Sequence, residues 1–339
     1  MVPKTHAYDA LNDFFKAHEN IVVEIEILPS ALVSDDTLLL QDGINIGITK
    51  KVLAQAYLKA RTVFFLQDGS SPSEALAFEA TRIMLLFDSE HLTAANFRKR
   101  RLVSVQNEAT GASANSLVAA AQQELQFLNS ILTSPLHRQS KSPTLWHHRY
   151  WLFSNILLNG TPSSSFNVLN VSAIKAEFDA VFKAGEQHPK NYYAWQYARR
   201  LIDILVSALR KPKDQSSQVQ IDIQAIINAS SMRVKDWCLR HPSDTSGWSF
   251  LLFMLRYVDA LPTRTDIVSN VLDLTIAFRW QHESLWVFVR TVLSNSAILV
   301  DGQDLFVERL YKYENQRDSY TAPASAALRW IETNKTADP

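Results

Sequence analysis

Cysteine occurs once in this chain of 339 residues, at Cys238, and that scarcity removes two classes of protein at once. A disulfide framework needs several cysteines in pairs, and a cysteine-based zinc site needs a set of them, so neither can be built here. Glycine is scarce at 8 residues and proline numbers 12, too few for the many tight turns of an all-β chain. No uninterrupted apolar run reaches the roughly 18 residues of a membrane span. Lys and Arg total 34 and Asp and Glu total 34, so bulk charge gives no pull toward nucleic acid. The basic run Arg98-Lys99-Arg100-Arg101 reads first as a solvated helix face. The N-terminus, Met1-Val2-Pro3-Lys4-Thr5-His6, lacks a signal-peptide pattern, and the C-terminus, Lys335-Thr336-Ala337-Asp338-Pro339, carries no prenylation box. A single cysteine also fits a reducing compartment, so the expectation is a cytoplasmic protein with no integral membrane segment. Ser/His/Asp constellations, glycine-rich phosphate loops and paired-carboxylate motifs are missing as well.

What is present is a repeat. Four segments lead into a Trp with similar residues: Ser142-Pro143-Thr144-Leu145-Trp146, His188-Pro189-Lys190-Asn191-Tyr192-Tyr193-Ala194-Trp195, His241-Pro242-Ser243-Asp244-Thr245-Ser246-Gly247-Trp248 and His282-Glu283-Ser284-Leu285-Trp286. A worn fifth copy, His91-Leu92-Thr93-Ala94-Ala95-Asn96-Phe97-Arg98, puts Ala95 in the Trp slot. Positions 95, 146, 195, 248 and 286 are separated by 51, 49, 53 and 38 residues. Periods in this range mark helical repeat arrays.

Each frame opens an amphipathic helix. Trp195, Ala198, Ile202 and Leu205 share one face of a 3.6-residue period, as do Trp146, Tyr150, Phe153 and Leu157, and Trp248, Leu252, Leu255 and Val258. Pro189 and Pro242 suit a first helical turn, and Asn191, Ser243 and Asp244 are candidate caps. Second helices lie between the frames, with stripes at Ile174, Phe178, Val181 and Phe182, and at Ile267, Val271, Leu274 and Phe278. Two more are expected over 219–239 and 116–132, with polar breaks at 106–115, 159–165 and 210–217. The β-branched segment 21–28 reads as a short strand, 49–65 and 74–87 as helices, and 306–330 as a terminal helix or two. The fold class is therefore all-α, with hairpins that stack because one alone cannot bury its apolar face. Residues 1–73 are expected to form a small irregular N-terminal cap, 74–300 five repeats, and 301–339 a C-terminal helix and tail, all in one continuous domain.

The pattern Pro-x-Asn-Tyr-x-x-Trp, read at 189–195, with Trp146-His147-His148-Arg149 supplying its second half, resembles the repeat of protein prenyltransferase α subunits. The versions at Ser243–Trp248 and Gln281–Trp286 are most like the α-subunit repeats associated with geranylgeranyltransferase type III. The resemblance covers roughly residues 74–295 and rests on five loosely matching copies in order. It implies a right-handed superhelical solenoid of antiparallel helix hairpins wrapped around a separate β subunit. In that family the β subunit is the partner that holds the zinc; this chain is expected to carry no cofactor or metal of its own. The zinc-bound Cys thiolate of a protein substrate would displace diphosphate from the isoprenoid. By analogy with the branch, the substrate is expected to be a prenylatable, SNARE-type trafficking protein.

The resemblance assigns Lys190 to the slot whose cation stabilises charge on departing diphosphate, against the alternative of an exposed Lys in a first helical turn. It places Tyr192, Tyr193, Ser246 and His147 at the interface with substrate or β subunit. Tyr192 reads more simply as packing on the preceding hairpin. Ser246 stands where a catalytic-loop His belongs, which weakens the catalytic analogy. Trp146, Trp195, Trp248 and Trp286 read as core anchors, each able to bury on the order of 200 Å². Arg98 and Arg149, three residues past the Trp slot, read as struts between hairpins. Elsewhere that slot holds Ala198, Leu251 or Val289, which suggests local slackness. His147 and His148 point to different faces and cannot share a metal. The opposing functional class is a non-catalytic helical-repeat adaptor, favoured by Ala95, Ser246 and the missing arginines.

Overall fold

The computed structural model describes residues 4–34, 36–65, 74–108, 114–157, 171–210, 217–299, 302–316 and 320–334. Among them are fourteen helices and three short strands. In chain order these are α1 (Lys4–Ala17), β1 (Ile25–Leu28), β2 (Leu40–Asp42), β3 (Asn45–Thr49), α2 (Lys50–Phe65), α3 (Glu74–Phe87), α4 (Leu92–Glu108) and α5 (Ala114–Leu132). They continue as α6 (Pro143–Trp151), α7 (Val171–Gln187), α8 (Tyr192–Leu209), α9 (Ser217–Arg240), α10 (Thr245–Met254), α11 (Leu261–Ala277), α12 (Glu283–Leu293), α13 (Gln303–Glu314) and α14 (Ala322–Asn334). The chain is predominantly helical, as the periodicity predicts. The expected breaks at 159–165 and 211–216 lie outside the described residues, as do 109–113. None of the described helices is long and apolar enough to cross a membrane.

The described residues pack into two compact units, Met1–Leu169 with Asp179–Tyr197, and Asn170–Phe178 with Ala198–Pro339. The division runs through α7 and α8, whereas the sequence reading set its boundaries at 73/74 and 300/301.

The N-terminal part of the first unit is more regular than the expected irregular cap. Its strands form a sheet in the order β1-β3-β2, with β1 parallel and β2 antiparallel to β3. The amides of Val23 and Ile25 donate to the hydroxyls of Ser130 on α5 and Ser134 just past its end, at 3.0 and 2.8 Å. Two serines one helical turn apart thus satisfy backbone donors along the outer edge of β1, which an uncovered strand would leave open.

Most stripes form core as expected: Trp195, Ala198, Ile202 and Leu205, and Ile174, Phe178, Val181 and Phe182, are all buried. Three stripes need correction. After Trp151 the helix widens into a π-helical segment, Leu152–Leu157, which turns Ile156 inward and leaves Tyr150 and Leu157 half-buried. The α10 helix ends at Met254, so Val258 is buried from beyond it, and Leu251 rather than Leu252 faces the core. Phe278 caps the C-terminal end of α11, 64% exposed, and stacks on Trp280 instead of joining the core.

Candidate functional site

The Trp frame resolves into a set of bonds made at fixed offsets. Four residues before the Trp slot stands the N-cap. Ser142 accepts from the amide of Leu145 at 3.1 Å, Asn191 from that of Ala194 at 3.3 Å, and Asp244 from those of Ser246 and Gly247 at 2.9 Å. In the worn copy His91 Nδ1 accepts from Ala94 at 3.3 Å, and His282 caps α12 without a side-chain bond. Each cap relieves one of the orphan donors of a helix start. Pro189 and Pro242 lie two residues ahead of these caps, not inside the first turn, and Ser243 is not the cap.

For Pro242 the position outside the helix has a reason. In three of the four Trp frames the carbonyl six residues before the Trp receives its indole N–H: Trp146 donates to Ser140 at 2.8 Å, Trp248 to Pro242 at 3.0 Å and Trp286 to Trp280 at 2.8 Å. The same carbonyl position is claimed by the next frame. Ser142 Oγ donates to the Ser89 carbonyl at 3.1 Å, Asn191 Nδ2 to that of Ser140 at 3.0 Å and Ser284 Oγ to that of Pro242 at 2.9 Å. The Ser140 and Pro242 carbonyls therefore each anchor their own Trp and the head of the next frame's helix. The four Trp side chains are at most 3% exposed, in keeping with the anchor reading.

The slot three residues past the Trp faces the core in every copy. Ala198, Leu251 and Val289 fill it as buried apolar groups, so the missing arginines leave no slackness. Where Arg is kept, it is buried and bonded. Arg149 donates to Asn129 Oδ1 at 2.6 Å. Arg98 lies between the rings of Phe78 and Phe127, at 4.1 and 4.3 Å, donates to Glu124 through Nε at 2.8 Å and Nη2 at 2.6 Å, and reaches Thr81 Oγ1 at 2.9 Å. Of the basic run 98–101 only Arg100 is exposed: Arg101 covers Phe78 and Lys99 lies 5.7 Å from the ring of Trp151. In the two copies with Arg one place later, Arg199 donates to Ser249 and Arg290 lies over Trp330.

Glu124 escaped the sequence reading. Its signal was a lone carboxylate on the stripe Leu117, Ala121, Leu128, Ile131, all buried. Burial alone would raise its carboxyl, but the Arg98 guanidinium more than offsets this and holds it below the usual range. His148 Nε2 stands 3.4 Å from Glu124 Oε1. Burial pushes its imidazole down to about 4 against the pull of Glu124, so at neutral pH it is an uncharged core residue.

Lys190 is exposed and has φ of 59°, a left-handed conformation that costs a non-glycine residue about 1 kcal/mol. It precedes the cap and so lies outside the first helical turn. Tyr192 is 59% exposed rather than packed on the preceding hairpin, and its ring meets that of Tyr193 edge-on at 5.4 Å. His147 is exposed while His148 is buried, as adjacent helix positions require. The half-buried Ser246 uses its amide to bond the Asp244 cap. Lys190, Tyr192, Tyr193 and His147 belong to the first unit and Ser246 to the second. Among the described residues no group of three or more His, Cys, Asp or Glu could hold a metal ion.

Comparison with known proteins points the same way as the frames. The family described as ECM9 middle domain matches residues 161–267. The chain is similar to protein prenyltransferase alpha subunit repeat-containing protein 1 of Homo sapiens, 24% identical over 142 residues, which are 39% of this chain and 31% of that protein. The match thus spans about a third of the length of that relative. The likeness to the prenyltransferase α-subunit repeat family, read first from the Trp frames, is shared by a curated relative.

Proposed function

We propose that this chain is an α-type subunit of a heterodimeric protein prenyltransferase, one that transfers a geranylgeranyl group to a protein cysteine. The observation that carries the reading is the frame itself: a cap, an indole anchor and a tie to the next frame, repeated in a chain whose relative is named for such repeats. In this reading the hairpins form one solenoid, residues 74–300 are its repeats, and residues 1–73 cap it. A β-type subunit supplies the zinc and most of the active site, and the acceptor is a SNARE-type trafficking protein in the cytoplasm. Lys190 then reaches the diphosphate from a strained backbone position, while Tyr192, Tyr193 and His147 present exposed side chains to the partner. An outlier backbone held at a loop tip supports a functional role for Lys190.

The second reading, a helical-repeat adaptor without catalysis, has one specific observation behind it. Ser246, in the slot of the family's catalytic-loop His, is occupied as part of a helix start. Co-expression with a geranylgeranyltransferase type II β subunit separates the two. A stoichiometric complex that moves labelled geranylgeranyl to an acceptor protein, with turnover reduced by Lys190→Ala, is the expected result. A well-behaved monomer with no β-type subunit attached would leave the adaptor.

A further inference from the structure

One stretch of the first unit has a charge bias that the neutral total conceals. No Asp or Glu occurs between Glu124 and Glu177. The loop between α5 and α6 lies in this stretch and exposes His137 and Arg138, with Lys141 half-buried beside them. The loop between α7 and α8 comes against it. The rings of His137 and His188 are 5.3 Å apart, Lys141 Nζ donates to the Pro189 carbonyl at 3.1 Å, and Asn191 ties the two loops through Ser140. His188 is held below its usual range first by burial and then by His137 and Lys141, two basic groups, with no carboxylate contributing. Two acids border the loops: Glu90 accepts from Thr144 Oγ1 at 2.5 Å, and the exposed Glu186 is on the last turn of α7. Immediately past this edge stand the exposed rings of Tyr192 and Tyr193.

We propose that this edge of the first unit docks an acidic stretch of a partner polypeptide, with carboxylates on Arg138 and Lys141 beside the exposed His137 ring and an apolar side chain on the tyrosine pair. The Arg138 guanidinium offers a fork that fits a carboxylate. Tyrosines with one wet edge are favoured where proteins meet. A membrane-seated surface would instead present Leu, Phe or Trp for insertion and a Lys-rich rim; here the apolar element is a tyrosine pair and the loop between α5 and α6 offers one Arg and one Lys beside it. The proposal stands apart from prenyl transfer, since a catalytic partner or an adaptor's client could each carry such a stretch.

The test uses the full chain and a fluorescein-labelled oligoglutamate peptide, followed by anisotropy. Saturable binding that weakens with added salt is expected, and Arg138→Glu with Lys141→Glu should weaken it at least about tenfold. Because Lys141 bonds the neighbouring loop, Arg138→Glu alone, at an exposed position, is the second variant and should still weaken binding. Tyr192→Ala with Tyr193→Ala should weaken binding of the same peptide extended by one Leu, without changing its salt dependence. Lys50→Glu with Arg329→Glu makes the same charge change elsewhere and should leave it nearly untouched. Absence of saturable binding overturns the proposal, and so does equal loss in the control pair. Sedimentation with phosphatidylcholine vesicles containing about one third phosphatidylserine, without peptide binding, would overturn it in favour of a lipid surface.

Discussion

His148 shows how burial decides the chemistry of a residue that sequence marks only as a histidine. With both ring nitrogens shut from water and Glu124 already committed to Arg98, the neutral imidazole is the form the core accepts. The folded value of about 4 lies below the ordinary 6.5. As pH falls, the unfolded chain takes up the proton first, so stability is full above 6.5 and is lost on the way down to about 4. The loss from this one residue is on the order of 3 kcal/mol. His148→Leu removes the titration and keeps an apolar side chain. Thermal melts across that range should show a flatter acid limb for the variant; an unchanged limb would assign the acid sensitivity to other groups. Glu124 acts in the same direction at lower pH, since its depressed carboxyl contributes stability that falls away only as it protonates.

At the scale of elements, two loop carbonyls, those of Ser140 and Pro242, each take two donors, the indole of their own frame and a side chain of the next. Asn191 performs two jobs with one side chain: its oxygen caps α8, and its nitrogen ties that helix start to Ser140 in the loop before. Asn191→Ala should cost about 2 kcal/mol in denaturant unfolding, the sum expected for a lost cap and a lost buried hydrogen bond. Asn191→Asp keeps the cap but aims a carboxylate oxygen at the Ser140 carbonyl, so it should be at least as damaging. A stable Asp variant would show that the tie between loops contributes nothing. The cap was legible in advance, because Asn, Asp and Ser ahead of an apolar stripe have few other uses. The second bond was not, since its acceptor lies 51 residues away in sequence.

Across the molecule, contacts divide the chain into two units, and the repeat logic predicts that damage stays local. Gly247 sits where α10 crosses α9: an added Cβ would lie 2.5 Å from the ring of the fully buried Trp237. Gly247→Ala should therefore cost about 1–3 kcal/mol through overpacking. In a nearest-neighbour array, hydrogen exchange should quicken in α9, α10 and α12, while α3 to α6 keep their protection. Uniform loss throughout the chain would show instead that the two units unfold as one.

The sequence by itself determined most of the helices, their order, the Trp anchors and the caps at Asn191 and Asp244, because these follow from local periodicity and from groups within one turn of each other. It also carried the family likeness, through motifs short enough to be read in a line. The tertiary structure decided which member of each apolar stripe faces inward, where α6 widens, and that the slot after the Trp is core in every copy. It decided that Arg98 is buried and bonded rather than solvated, and that Tyr192 faces water. Those outcomes depend on partners distant in sequence, such as Glu124 for Arg98, and on how much water each group keeps once its neighbours are in place. Burial sets the cost of a charge, and only the folded chain fixes burial.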